Sequence, residues 1–152
     1  MAGDGSITID QSDLEEDRFS RFRLITGWDQ ERLRNARILV VGAGALGNEL
    51  LKNLALLGVG NIVVVDMDDI ELSNLSRSVL FTPDDIGRPK AQVAAEATRR
   101  IFGECNVLPL QANIVYEVGL GLFGWADVIL GGLDNREARW AINMAAWKMG
   151  RP

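Results

Sequence analysis

Apolar residues along this chain fall into short continuous runs, separated by stretches in which they recur every three to four positions. Arg37–Val41 and Ile62–Asp66 are β-branched and aliphatic runs, too short for a helix and bounded by turn-forming residues, so both predict strands. Between them, Leu46–Leu57 carries helical spacing, and Gly58 and Gly60 punctuate its exit. Pro89 suits a helical first turn and opens an alanine-rich helix from Lys90 to Phe102. Beyond it, Asn106–Ala112 predicts a strand, Val115–Leu122 a short helix, Asp127–Gly131 a buried strand and Asn135–Met149 a final helix. Upstream, Leu14, Phe19, Phe22 and Ile25 share helical spacing as far as Gly27, a suitable C-terminal cap, and a second short helix is expected at Asp29–Asn35.

Strands that alternate with helices predict an α/β fold. The expected architecture is a Rossmann-like, mostly parallel sheet with helices on both faces, preceded by N-terminal helices. Met1 to Ser12 is rich in Gly, Ser and Asp and reads as a flexible tail, with a short strand at Ile7–Ile9 at most. The expected organisation is a tail over 1–12, a helical segment over 13–36 and a nucleotide-binding domain over 37–152. A sheet whose last helix feeds no further strand reads as the N-terminal part of a longer protein, with that domain incomplete at its C-terminal end.

Composition narrows the chemistry. The 152 residues carry a formal net charge of −5, which gives no basic footprint for nucleic acid. No apolar run approaches the roughly 20 residues of a membrane span, and the acidic stretch Asp13 to Asp17 stands where a signal peptide needs basic residues. A cytoplasmic location and no membrane partner are therefore expected. The chain has one cysteine and no histidine. Ser-His-Asp triads, Cys-His pairs and histidine metal ligation are excluded, so acid–base or metal chemistry must use carboxylates, lysine or arginine.

Ile38–Val41 runs directly into Gly42-Ala43-Gly44-Ala45-Leu46-Gly47, a G-x-G-x-x-G turn between a strand and a helix. That order leaves backbone N–H groups open at a helix N-terminus, where a nucleotide phosphate can sit. Asp66, at the end of the second strand, is placed to hold ribose hydroxyls. To this point a nicotinamide dehydrogenase fits as well as an ATP-binding enzyme. The long polar segment Asp68 to Gly87 then brings Asn74 and Arg77, and Lys90 and Asp134 follow at the sheet's ligand edge. Fixed positive charge there suits a triphosphate, and a carboxylate facing phosphates suits Mg²⁺. Arg136 and Arg139 read as solvated helix charges, and Trp28, Trp125, Trp140 and Trp147 as core or interface residues. Cys105 reads as an inert thiol.

From Arg18 to Pro152 the chain resembles the adenylation domain of the ThiF/MoeB and ubiquitin-activating enzyme superfamily. The resemblance is carried by Arg18-Phe19-Ser20-Arg21, Gly42 to Gly47, Gly58-Val59-Gly60-Asn61, Asp66-x-Asp68, Ser73-Asn74-Leu75-x-Arg77, Gly87-x-Pro89-Lys90 and Asp134-Asn135. It implies that Gly42, Gly44, Ala45 and Gly47 line the ATP phosphates and that Asp66 binds the ribose. Asp68 either contacts the nucleotide or structures its loop. By the same resemblance Asn74, Arg77 and Lys90 contact phosphates, Asp134 holds Mg²⁺, and Arg21 acts in trans across a homodimer or pseudo-homodimer interface. The implied catalytic set is Arg21, Arg77, Lys90 and Asp134.

The implied reaction is attack on the α-phosphate of ATP by the C-terminal carboxylate of a ubiquitin-like or sulfur-carrier protein, with release of pyrophosphate. A conjugating enzyme or sulfurtransferase is a further implied partner. Two departures from the family pattern stand out: Phe22 and Ser78 occupy positions where relatives commonly carry Gln. Arg18 is expected to be structural, pairing with a carboxylate. An inactive dimerisation module of the same fold and an NAD-dependent oxidoreductase remain as alternatives.

Overall fold

The computed structural model describes residues 17–152. The expected tail and its short strand at Ile7–Ile9 lie outside those residues, as does the start of the helix expected from Leu14. Within 17–27 the chain turns twice and forms a single 3-10 turn at Phe22–Leu24 in place of a continuous helix. The apolar spacing there serves a different purpose. Phe19 meets Phe102 edge-on at 5.8 Å, and Phe22 stacks on Trp28 at 4.5 Å, so the aromatic rings pin a loop to the domain. Arg18 joins them: it lies over the Phe102 ring and donates to the Ile101 carbonyl at 2.6 Å, and among the described residues it pairs with no carboxylate.

Five α-helices and four strands follow. Asp29 caps α1 (Gln30–Asn35) by accepting from Arg32 N–H. The rest alternates: β1 (Arg37–Val41), α2 (Ala45–Leu56), β2 (Asn61–Val65), α3 (Lys90–Ile101), β3 (Asn106–Leu110), α4 (Leu120–Trp125), β4 (Val128–Gly131) and α5 (Arg136–Lys148). α4 starts five residues later than the spacing predicts. Glycines at 119 and 121 delay it, and Asn113 and Glu117 side chains close a separate turn ahead of it.

All strand pairs are parallel, in the order β3-β2-β1-β4. β1 and β2 are buried on both faces, and their residues divide by parity. Ile38, Val40, Ile62 and Val64 join the core beneath α2 and α3, whereas Leu39, Val41, Val63 and Val65 face the α4/α5 side. Burying both faces of β1 and β2 accounts for their uninterrupted apolar sequence. The path moves outward from β1 to β2 to β3, then returns to the far side of β1 as β4. This places a switch point between β1 and β4, and the carboxyl ends of strands at such points open onto ligand crevices.

Candidate nucleotide site

Gly42 leaves β1 with φ +94°, a conformation that favours glycine. A Cβ on it would stand 2.9 Å from the Gly132 carbonyl oxygen, so the turn also approaches the β4 exit at backbone distance. Gly47 is tighter still: its added Cβ would lie 1.9 Å from the Gly42 carbonyl oxygen. Gly44 caps α2 without a side chain. The first backbone bond of α2 runs from Asn48 N–H to Gly44 O at 2.8 Å, which leaves the preceding N–H groups of the helix open for an anion.

Asp66 is bound to this turn. One carboxylate oxygen accepts Ala43 N–H at 2.6 Å and the other accepts Asp68 N–H at 2.9 Å. Burial raises its pKa and outweighs these two N–H bonds, which act in the opposite direction. Each oxygen retains a further acceptor site for a hydroxyl donor. A desolvated carboxylate held on the rim of a cleft is a pattern typical of ligand sites.

The segment after β2 is folded by its own side chains. Glu71 and Asn74 form a reciprocal capping box, with Asn74 Oδ1 accepting Glu71 N–H at 3.0 Å. Arg77 folds back onto this turn and donates to the Ser73 carbonyl at 2.9 Å. The strip from Asp68 to Ile70 is stitched to the α3 entrance by three backbone bonds: Ile70 N–H to Arg88 O, Gly87 N–H to Ile70 O and Lys90 N–H to Asp68 O. Arg88 braces the strip by pairing with both Asp85 and Glu96. Lys90 Nζ, largely sheltered, pairs with Asp68 at 2.9 Å.

α5 enters the site from the other side of the switch point. Its cap is Asn135, whose Oδ1 accepts Glu137 N–H at 2.8 Å and Ala138 N–H at 3.4 Å. Asp134 is thereby free of a capping role, and its exposed carboxylate has no hydrogen bond among the described residues.

These elements enclose one open cleft of about 320 Å³. Gly42, Gly44 and Ala45 meet Asp66, Asp68, Asn74, Arg77, Lys90 and Asp134 there. Two expected site residues lie elsewhere. Gly47 sits beneath the turn as a packing residue, and Arg21 is exposed at the start of the Phe22–Leu24 turn, outside the cleft. Ser78 lines the cleft and is buried, while Phe22 packs in the aromatic cluster. Sequence reasoning missed Arg139. It lines the cleft and donates to the Leu133 carbonyl at 2.6 Å, which orients the loop carrying Asp134. No local signal sets it apart, since a solvated arginine on the same helix would have the same spacing.

A second pocket, of about 180 Å³, adjoins the cleft and shares Asp66, Asp68, Leu133 and Asp134 with it. Val41, Val65, Ala112, Ile114 and Ala138 give it apolar walls, and Tyr116 donates to Glu137 at 2.8 Å beside it. One half of the combined site is therefore apolar, the other carries three cations and open N–H groups, and Asp66 stands at their junction. That division suits a base, a sugar and a polyphosphate in sequence. The described residues hold no group of three potential metal-ligating side chains. A lone carboxylate beside phosphates fits Mg²⁺, which is held by one or two carboxylates together with the substrate's own oxygens. Cys105 is buried and away from this site, its thiol pushed up to about 11 by desolvation.

A model of the ThiF family matches residues 17–152. Among curated proteins, the chain is 38% identical over 145 residues to the SAMP-activating enzyme E1 of Haloferax volcanii, covering 91% of this chain and 52% of that protein. It is 39% identical over 123 residues to the sulfur carrier protein adenylyltransferase of Thermus thermophilus, covering 81% and 45%. Against the human ubiquitin-like modifier-activating enzyme 7 it is 45% identical over 119 residues, covering 72% and 12%. Among solved structures, Escherichia coli MccB with AMPCPP and selenomethionine MccA superposes with a TM-score of 0.79 at 28% identity, covering 91% of this chain and 42% of that one. The chain thus spans about half or less of the length of these relatives.

Proposed function

The chain belongs to the ThiF family, and from that membership we propose that it is the nucleotide-binding part of an ATP-dependent activating enzyme. Its substrate is the C-terminal carboxylate of a ubiquitin-like or sulfur-carrier protein, and its setting is the cytoplasm. The observation that carries this reading is the convergence of the glycine turn, Asn74, Arg77, Lys90 and Asp134 on one cleft, with an apolar pocket beyond Asp66.

In this reading the base enters the apolar pocket, Asp66 accepts the ribose hydroxyls, and the open N–H groups of α2 receive phosphate oxygens. Arg77, Lys90 and Arg139 neutralise the polyphosphate. Lys90 exchanges its Asp68 partner for a phosphate as it does so. Asp134 holds Mg²⁺, which when bound supplies further neutralisation of the phosphate oxygens. A carboxylate is a weak nucleophile toward an anionic phosphorus, so positioning and charge are what the protein must provide. A carboxylate oxygen bonds to the α-phosphorus, the bond from that phosphorus to the bridging oxygen breaks, and pyrophosphate leaves with the electron pair. The acyl-adenylate remains. The step requires no protein nucleophile and no histidine, and this chain contains no histidine. Arg21, exposed and outside its own cleft, is available to complete the site of a second protomer in a homodimer or pseudo-homodimer.

Differential scanning fluorimetry of this chain tests the ligand class. Mg·ATP at a hundred times its Kd should raise the melting temperature by roughly 5–10 °C, and NADH should leave it unchanged. Stabilisation by NADH alone would reverse the assignment.

A further inference from the structure

One buried polar group takes no part in the chemistry above. Asn48, on the first turn of α2, is completely enclosed. Its Nδ2 donates to the Ala43 carbonyl at 2.7 Å and to the Gly44 carbonyl at 3.0 Å. Its Oδ1 accepts Leu80 N–H at 2.8 Å, across 32 residues of sequence. The first two partners belong to the glycine turn. The third belongs to the segment that presents Asn74, Arg77 and Ser78. Leu80 and Ser78 are themselves buried, so water cannot readily replace Asn48 there. Removing the amide leaves buried backbone groups without partners.

We infer that Asn48 is a positioning residue for the phosphate side of the cleft, holding the glycine turn and the Arg77 segment in one register so that both meet the same polyphosphate. The inference rests on the nucleotide reading of the cleft. Packing alone does not call for an amide at this position, because Leu51 and Ala55 already seat α2 on the sheet. Asn48 makes no hydrogen bond to Asp66 or to the walls of the apolar pocket, and it meets Asp66 only through Ala43, whose N–H that carboxylate accepts. Its loss should therefore weaken binding of the triphosphate far more than that of the nucleoside.

Asn48→Asp separates this role from packing. The shape is kept, yet an ionised carboxylate cannot donate to Ala43 and Gly44. Once protonated, it donates again to one of them while its other oxygen still accepts Leu80 N–H. Burial raises the pKa of such a carboxyl, so the repair should occur as the pH falls toward 5.5. The chain contains no histidine, so no unperturbed side chain of the wild type titrates in that range.

The experiment is calorimetry of wild type and Asn48→Asp with Mg·ATP and with adenosine at pH 8 and pH 5.5, together with amide exchange of the unliganded proteins. At pH 8 the Asp variant should bind Mg·ATP about tenfold or more weakly than wild type. At pH 5.5 most of that deficit should vanish, and adenosine affinity should stay within about twofold of wild type at both values. In unliganded Asn48→Ala, exchange should accelerate together at Ala43 and at Arg77 and Phe81. If that variant does not fold, Asn48→Asp at pH 8 supplies the same comparison. Equal losses for adenosine and Mg·ATP, or a deficit independent of pH, overturn the inference. Wild type that binds neither ligand defeats the cleft reading itself; acceleration confined to one of the two segments defeats the coupling whatever the ligand data.

Discussion

Arg77 and Asp134 reach the cleft from opposite sides of the glycine turn, one on the segment after β2 and the other ahead of the α5 cap. Neither is buried and neither holds the fold together. Alanine at either position should leave the melting temperature within about 2 °C of wild type. In an activating enzyme that contains this chain, ATP–pyrophosphate exchange supported by the carrier protein should fall about 100-fold or more. Normal exchange in both variants would show that the cleft is not the reaction centre. Arg139→Ala should give a smaller loss of the same kind. At this scale the glycine turn, Asp66, Arg77, Lys90 and Asp134 were legible in sequence because each occupies a strand end, a helix start or a fixed spacing. Arg139 and Asn48 were not. An arginine on an amphipathic helix has the same local pattern whether it faces solvent or a cleft, and only the fold brings Leu80 to Asn48.

Among elements, the β1–turn–α2 unit is the least tolerant of change. Gly47→Ala puts a carbon where the Gly42 carbonyl oxygen already stands. Urea denaturation should show a loss of about 3 kcal/mol, and stabilisation by Mg·ATP should disappear. At the opposite end of the sheet, β1 and β4 are joined by Arg37 and Asp127. The guanidinium bonds the carboxylate at 2.8 and 3.2 Å, and each residue's backbone N–H also bonds the other residue. These bonds hold the Asp127 pKa down at about 2. A depressed carboxylate contributes stability above its unfolded pKa of about 3.9, and that contribution is lost as the pH falls from there through about 2. Asp127→Asn should accordingly melt about 2 °C lower than wild type at pH 7 and show a smaller deficit at pH 2.5. Strands and long helices were read correctly from periodicity. Within the described residues the helix expected from Leu14 toward Gly27 does not form, since Phe19 and Phe22 serve an aromatic cluster under a loop equally well.

At the scale of the molecule, α5 carries an exposed apolar stripe. Trp140, Met144 and Trp147 stand 66%, 41% and 77% exposed along α5, so two of the four tryptophans are absent from the core. Large apolar side chains in one stripe favour association. The wild-type chain should show concentration-dependent self-association in sedimentation velocity, and Trp140→Glu with Trp147→Glu should remove it while leaving the melting temperature within about 2 °C; a monomeric wild type would refute this. The parallel α/β class was legible from the alternation of elements, and the strand order was not, because each strand's own sequence is compatible with either neighbour.

That order also has a consequence for folding during synthesis. β1 can pair with β2, and β2 with β3, once about 110 residues have emerged, but the other edge of β1 waits for β4, about 90 residues after β1 itself. For that interval an aliphatic strand edge lies open beside a half-built sheet, a state prone to mispairing. The same delay postpones completion of the proposed nucleotide cleft, because its Asp134 wall follows β4.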